Sequence, residues 1–202
     1  MAGEPDSHVV AVTLRVVRLL EELGVRYVIG GSLASSVHGT LRSTGDVDFV
    51  VDLRPEHVAP FVRALEGDFY VSETRVTQSV ETGRSFNVIA LEQMFKVDFF
   101  VAKGKRFESS QLSRGEALRV SRTVEERVQV STPEDVVLAK LMWYRKGGEV
   151  SDRQWQDVLG VLRVKAGTLD GAYLERMAEE MGVSDLLAHA VDEAGGRNDG
   201  ER

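Results

Sequence analysis

Two runs decide how this chain reads: Arg26-Tyr27-Val28-Ile29-Gly30-Gly31-Ser32 and, separated from Ser32 by thirteen residues, Asp46-Val47-Asp48-Phe49-Val50-Val51. The first is a short β-prone stretch that breaks at a glycine pair and enters the small-residue helix candidate Leu33 to His38. It reads as strand, glycine turn and helix in succession. In the second run acidic and apolar side chains alternate before the stretch turns wholly apolar, the pattern of a half-buried strand entering a core. Successive strand side chains point to opposite faces, so Asp46 and Asp48 project from the same face, about 7 Å apart along the backbone.

Upstream of these runs, Val9, Val12, Val16, Leu19, Leu20 and Leu23 recur at helical spacing and Gly24 supplies the stop, which predicts an amphipathic first helix. Downstream, Arg54-Pro55 opens a helix with Val58, Phe61, Val62 and Leu65 on one face. Strands are predicted at 69–71, 86–91, 95–101 and 126–130, so residues 1–130 read as a mixed α/β unit. Beyond them the pattern becomes helical. Thr132 is a good N-cap, Pro133 suits the first helical position, and Glu134 and Asp135 complement the positive end of the dipole. That helix is predicted to end near Gly147-Gly148, with further helices at about 151–164, 170–181 and 183–193. The expected organisation is an α/β core over 1–130, a helical region over 131–194 and a disordered tail over 195–202.

The chain has 202 residues, 25 Lys and Arg against 32 Asp and Glu for a net charge of −7, 43% hydrophobic residues and no cysteine. This length suits one or two domains with a full core. Without cysteine, a disulfide scaffold, a thiolate zinc site, an iron–sulfur cluster and a cysteine nucleophile are excluded. His8, His38, His57 and His189 are dispersed, which argues against a histidine metal cage. The apolar run from Phe49 is broken at Asp52 before Leu53, and no apolar run in the sequence approaches the roughly 20 residues that span a bilayer. Met1 to His8 lacks the basic-then-apolar pattern of a secretory signal, so a cytoplasmic protein with no membrane partner is expected. The acidic balance disfavours holding nucleic acid by bulk charge, although a local basic groove could still do so.

The chemistry concentrates in a few residues. In Lys96-Val97-Asp98-Phe99-Phe100, alternation puts Val97, Phe99 and Val101 on one face and Asp98 on the other. If this strand adjoins 46–51, three carboxylates converge. The same alternation also fits an edge strand with one solvated face. Carboxylates held together repel unless a cation or proton joins them, and their hard oxygens suit Mg²⁺. Three could hold two ions for in-line phosphoryl transfer. Gly30 and Gly31 lack Cβ atoms, so phosphate oxygens can approach the backbone at a helix N-terminus, where Ser32 adds a hydroxyl. The combination points to a nucleoside triphosphate (NTP) with its metals.

Other positions leave alternatives open. Lys140, nearly surrounded by apolar helix positions, either snorkels to solvent or meets an anion. Asp157 could pair with Arg153 one turn earlier. Arg42 is placed to reach a phosphate or, with Thr44, shapes the loop before the acidic strand. His38 reads as a helix-end residue, and Trp143, Tyr144 and Trp155 read as core.

These residues resemble the nucleotidyltransferase fold of the DNA polymerase β-like superfamily, whose pattern is a Gly-Gly or Gly-Ser pair, an Asp-x-Asp on a strand and a third carboxylate on a later strand. The fuller run His38-Gly-x-x-Arg42-x-Thr44-x-Asp46-x-Asp48 is similar to the branch containing AbiEii-like toxins of type IV toxin–antitoxin systems. There a Pro-Glu-Asp-x-x-x-x-Lys segment and a further Asp complete the site, matched here by Pro133-Glu134-Asp135 with Lys140 and by Asp157. The resemblance covers about residues 25 to 165. It implies an α+β fold with a small mixed sheet flanked by helices and a helical C-terminal region. It further implies that Gly30, Gly31, Ser32, Arg42 and Thr44 bind substrate and that Asp46, Asp48 and Asp98 hold Mg²⁺ or Mn²⁺. Lys140 would meet the triphosphate, and Asp157 would position Lys140 or act as a base.

The implied activity is transfer of a nucleoside monophosphate from an NTP to a hydroxyl acceptor. The acceptor would be RNA such as a tRNA end, a protein or a small molecule, and a toxin role would add a cognate antitoxin as partner. A competing expectation is a catalytically inactive nucleotide-binding or partner-binding regulatory module on the same fold, motivated by the Gly-Gly-Ser spacing and the small size.

Overall fold

Alternating apolar positions in 46–51 and 95–101 do build a sheet. The computed structural model describes residues 7–40, 44–104, 106–121 and 124–196. Within them the order is α1 (Ser7–Glu22), β1 (Tyr27–Ile29), α2 (Gly31–His38), β2 (Asp46–Val51), α3 (Pro55–Leu65), β3 (Phe69–Tyr70), α4 (Glu73–Thr82), β4 (Ser85–Ala90) and β5 (Phe95–Val101). There follow α5 (Arg106–Arg114), β6 (Glu116–Leu118), β7 (Val128–Val130), α6 (Pro133–Lys146), α7 (Asp152–Val164), α8 (Gly171–Met181) and α9 (Ser184–Gly196). The chain divides into two compact units, one of Met1–Leu33 with Arg42–Ser131 and the other of Ala34–Leu41 with Thr132–Arg202.

The first unit holds a seven-stranded mixed sheet in the order β3-β4-β5-β2-β1-β7-β6. β5 pairs parallel with β2 and antiparallel with β4, and β1 pairs antiparallel with β2. On the core face Val47, Phe49 and Val51 lie beside Val97, Phe99 and Val101, all fully or almost fully buried. Phe99 sits at the centre of an aromatic cluster. Its ring stacks on Phe86 at 4.9 Å and on Phe49 at 5.6 Å, and Phe61 of α3 meets it edge-on at 5.3 Å. Burial of each such side chain contributes about 1.5–3 kcal/mol, so this cluster is the main anchor of α3 on the sheet.

Three elements escape the sequence reading for a common reason, the lack of an apolar stripe. α4 buries only Val76, Ser79 and Val80. α5 buries only Gln111, and β6 has no buried residue. Short edge strands such as β3 and β6 leave little unpaired backbone to the solvent, which limits unwanted pairing.

In the second unit Thr132 caps α6 as expected, its hydroxyl accepting from the Asp135 N–H at 3.3 Å. The acidic residues after it are not merely facing a dipole. Glu134 and Asp135 are buried: Glu134 Oε1 accepts the Asp170 N–H at 3.0 Å, and Asp135 Oδ1 accepts the Tyr173 hydroxyl at 2.5 Å. They tie the start of α8 to the start of α6. Trp143, expected in the core, is 43% exposed, because two residues beyond buried Leu141 it lies on the opposite side of α6. Tyr144 packs on Trp155 at 5.3 Å, and Trp155 Nε1 donates to Glu193 Oε2 at 2.8 Å. α9 runs to Gly196, so Gly195 and Gly196 are helical rather than tail, and 197–202 lie outside the described residues. Among the described residues no helix is long and apolar enough to cross a membrane.

Candidate active site

The parallel pairing of β2 with β5 sets Asp48 opposite Asp98 and Asp46 opposite Lys96. β5 lies between β4 and β2, an interior strand, so the reading of Asp98 as part of a solvated edge does not hold. Strands in a sheet are roughly 4.8 Å apart, and residues in register on parallel strands share a face. All three aspartates are therefore on the face opposite the aromatic core.

Between them lies a cation of the chain's own. Lys96 Nζ is 2.6 Å from Asp98 Oδ2 and 3.7 Å from Asp46 Oδ2. The hydrogen bond to Asp98 holds the Lys96 ammonium above the usual lysine range, with the charges of Asp98, Asp46 and Asp48 adding to it. With its side chain 43% exposed the bridge is screened by water, and its net contribution to stability is no more than about 1 kcal/mol. Thr44 Oγ1 donates to the Asp46 carbonyl at 2.8 Å, so Thr44 fixes the entry to β2. Arg42 lies outside the described residues.

The glycine pair divides into two unlike positions. Gly30 continues the β1–β2 ladder: its N–H donates to the Asp48 carbonyl at 2.8 Å, which removes that amide from phosphate binding. A Cβ on Gly30 would meet only Ser131 Oγ at 4.0 Å. Gly31 opens α2 with φ +55°, and a Cβ there would fall 1.6 Å from Asp48 Oδ2. Glycine at 31 is therefore required twice over, by its left-handed backbone and by the carboxylate seated against it. Asp48 in turn lies at the N-terminal turn of α2, where the helix dipole favours negative charge. Ser32 is the second residue of that turn.

Lys140 and Asp157 come together in the second unit. Lys140 Nζ donates to Asp157 Oδ2 at 2.7 Å, with the two side chains 8% and 7% exposed. Of the two sequence alternatives for Lys140 the second holds: the ammonium does not reach solvent but meets an anion, and Asp157 reaches α6, the helix that carries Lys140. In the same unit α2 ends at a buried His38, and a Cβ on Gly39 would fall 2.9 Å from the Val161 backbone nitrogen of α7.

Among the described residues no three His, Asp or Glu side chains close around an ion as they stand, and the Lys96 ammonium lies within reach of both Asp46 and Asp98. The donor set nevertheless fits a hard divalent cation. It is all carboxylate oxygen, its members lie on adjacent strands, and the Gly31 position leaves room for one of them that any Cβ would fill.

No protein-family model matches the chain, and no curated protein matches it in sequence. Among solved structures it is similar to an antigenic nucleotidyltransferase-like protein from Paracoccidioides brasiliensis, with TM-score 0.54, 16% identity, 94% of this chain covered and 95% of that one. The antibiotic-resistance factor ANT(2'')-Ia matches with TM-score 0.53 and 13% identity over 91% of this chain and 97% of that one. The lincosamide antibiotic adenylyltransferase LnuA, bound to lincomycin, matches with TM-score 0.51 and 11% identity over 80% and 99%. The chain has the nucleotidyltransferase fold. Within the sheet of this nucleotidyltransferase fold, the group that the sequence reading left without a role is Lys96. Its signal was available: Lys96 and Asp98, two apart on one strand, must share a face.

Two outcomes test these contacts. Replacing Gly31 with Ala is expected to cost about 1–2 kcal/mol in backbone strain before the displacement of Asp48 is added. Thermal unfolding should fall by roughly 3–8 °C, whereas Gly30→Ala should shift it little; equal shifts would contradict the different roles of the two glycines. Replacing Asp157 with Leu leaves the Lys140 charge buried and should cost about 3–5 kcal/mol in urea unfolding. The double variant Lys140→Met/Asp157→Leu should recover most of that loss, and simple additivity of the single losses would contradict the pairing.

Proposed function

We propose that the chain is an Mg²⁺-dependent nucleotidyltransferase that moves a nucleoside monophosphate from an NTP to a hydroxyl acceptor. In that reaction the acceptor oxygen bonds to the α-phosphorus, the bond to pyrophosphate breaks, and the acceptor's proton passes to solvent water. The observation that carries the reading is the register of β2 and β5, which puts Asp46, Asp48 and Asp98 on one face of a nucleotidyltransferase-fold sheet. Asp46, Asp48 and Asp98 would hold Mg²⁺, or Mn²⁺, which when bound neutralises phosphate charge and acidifies the attacking hydroxyl.

The chain's other residues orient and balance charge. The first turn of α2, with the Ser32 hydroxyl, is the helix N-terminus assigned to phosphate oxygens, and Gly31 there makes room for the Asp48 carboxylate. Thr44 holds the entry to β2 in place, and Arg42 is assigned to a phosphate by resemblance alone. Lys140 is the cation assigned to the triphosphate by resemblance. Its hydrogen bond to Asp157 supports a positioning role for Asp157 rather than a role as base.

Of the three acceptor classes, RNA such as a tRNA end, a protein and a small molecule, the small molecule is supported best. The solved structures matched over nearly their whole length include an antibiotic-resistance factor and a lincosamide antibiotic adenylyltransferase, proteins of this chain's size. A net charge of −7 weighs against RNA. A toxin role with a cognate antitoxin rests on sequence resemblance alone, in the run from His38 to Asp48, in Pro133-Glu134-Asp135 with Lys140, and in Asp157. The cytoplasm is the compartment in which an NTP-dependent enzyme of this kind would work.

Incubation with each labelled NTP and Mg²⁺, offering aminoglycosides and lincosamides, total RNA and total protein in parallel, should transfer label to one of these pools. The Asp46→Asn/Asp48→Asn variant should lose it by at least about a thousandfold. Transfer by the double variant at the wild-type rate would overturn the mechanism. Binding of Mg²⁺ and NTP by the wild type without transfer to any pool would favour the regulatory module.

A further inference from the structure

The acidic face of β2 and β5 poses an electrostatic problem before any substrate arrives. Asp46, Asp48 and Asp98 share one face, and like charges so placed repel. The chain answers with Lys96, in register with Asp46 and two residues before Asp98 on the same strand face. Its ammonium lies 2.6 Å from Asp98 Oδ2 and 3.7 Å from Asp46 Oδ2, within reach of both. That is where a cation shared by these carboxylates has to be.

We propose that Lys96 is a built-in counter-ion that fills the divalent-cation position in the nucleotide-free protein and makes cation loading depend on nucleotide. The inference rests on the nucleotidyl-transfer reading above and assigns it a gate. Three features support it. Asp98 is only 19% exposed, so its carboxylate gains from a partner held close. The lysine side chain is 43% exposed, so it has a route outward that a buried residue would lack. Its ammonium is also a point charge on a flexible four-carbon stem, able to leave by rotation without moving the sheet.

A divalent cation arriving alone must expel Lys96 into solvent, with no anion to receive it. A cation arriving with a triphosphate brings negative charge to which the displaced ammonium can move. Free metal therefore loads poorly and metal with nucleotide loads well, which keeps the acidic site from filling before its substrate is present. Lys96 acts through the carboxylates and is a positioning residue rather than a catalytic one.

The test is Mn²⁺ binding by electron paramagnetic resonance to the full-length protein, with and without an α,β-methylene NTP analogue. Wild type should bind Mn²⁺ weakly alone and tightly with the analogue. K96M should bind Mn²⁺ alone more tightly, by up to about fivefold, the factor that a screened ion pair is worth, and the enhancement by nucleotide should shrink by the same factor. Lys96→Arg keeps the charge and should retain the wild-type dependence, which separates charge from packing. If K96M does not fold, judged by circular dichroism, K96Q carries the same expectation. Mn²⁺ affinity of the neutral variant equal to or below that of wild type would overturn the gate, as would Lys96→Arg behaving like K96M. Should wild type fail to bind Mn²⁺ even with every nucleotide analogue, the nucleotidyl-transfer reading itself fails; nucleotide-dependent binding that is indifferent to Lys96 removes only the gate.

Discussion

Parallel pairing of β2 with β5 does two things with one set of hydrogen bonds. On one face it lays Val47, Phe49 and Val51 beside Val97, Phe99 and Val101, and on the other it lays Asp46 and Asp48 beside Lys96 and Asp98. Because the side-chain period is two, a slip of one residue would turn the phenylalanines to the acidic face and drive the aspartates into the core. The aromatic cluster of Phe49, Phe61, Phe86 and Phe99 therefore fixes the register, and the register fixes the acidic site. Stability and chemistry depend on the same alignment.

The acidic face is held by contacts that each offset part of its repulsion. Asp48 sits at the positive end of α2, against a glycine whose missing Cβ makes the approach possible. Lys96 bridges Asp98 and Asp46. Thr44 anchors the backbone at Asp46. The buried Lys140–Asp157 pair in the second unit follows a different rule, since a charge at 8% exposure has to be matched where it lies.

Much of this was legible in the sequence because it is written in period and spacing. The strand at 46–51, the interruption at Gly30-Gly31, the cap at Thr132 and the acidic pair at Asp46 and Asp48 all follow from local alternation or from residues with strong positional preferences. Adjacency was not local. That Asp98 lies in register with Asp48 depends on a pairing between strands some fifty residues apart, and that Lys140 meets Asp157 depends on how two helices pack. α4, α5 and β6 carry too few buried side chains to leave a periodic trace. The distinction between Gly30 and Gly31 appears only once backbone angles are known, because a glycine needed for a carboxylate's approach looks in sequence like any other.

The claim on which all of this turns is that the face bearing Asp46, Asp48 and Asp98 receives a metal-bound triphosphate. Calorimetric titration of an α,β-methylene NTP analogue into the wild type and into Asp98→Asn, each with Mg²⁺ and again with a chelator, addresses it most directly. The expected result is binding to the wild type that requires Mg²⁺ and is weakened at least about tenfold in Asp98→Asn. Binding that is equally strong in the chelator, or unchanged by the substitution, would contradict the assignment of this face as the nucleotide site.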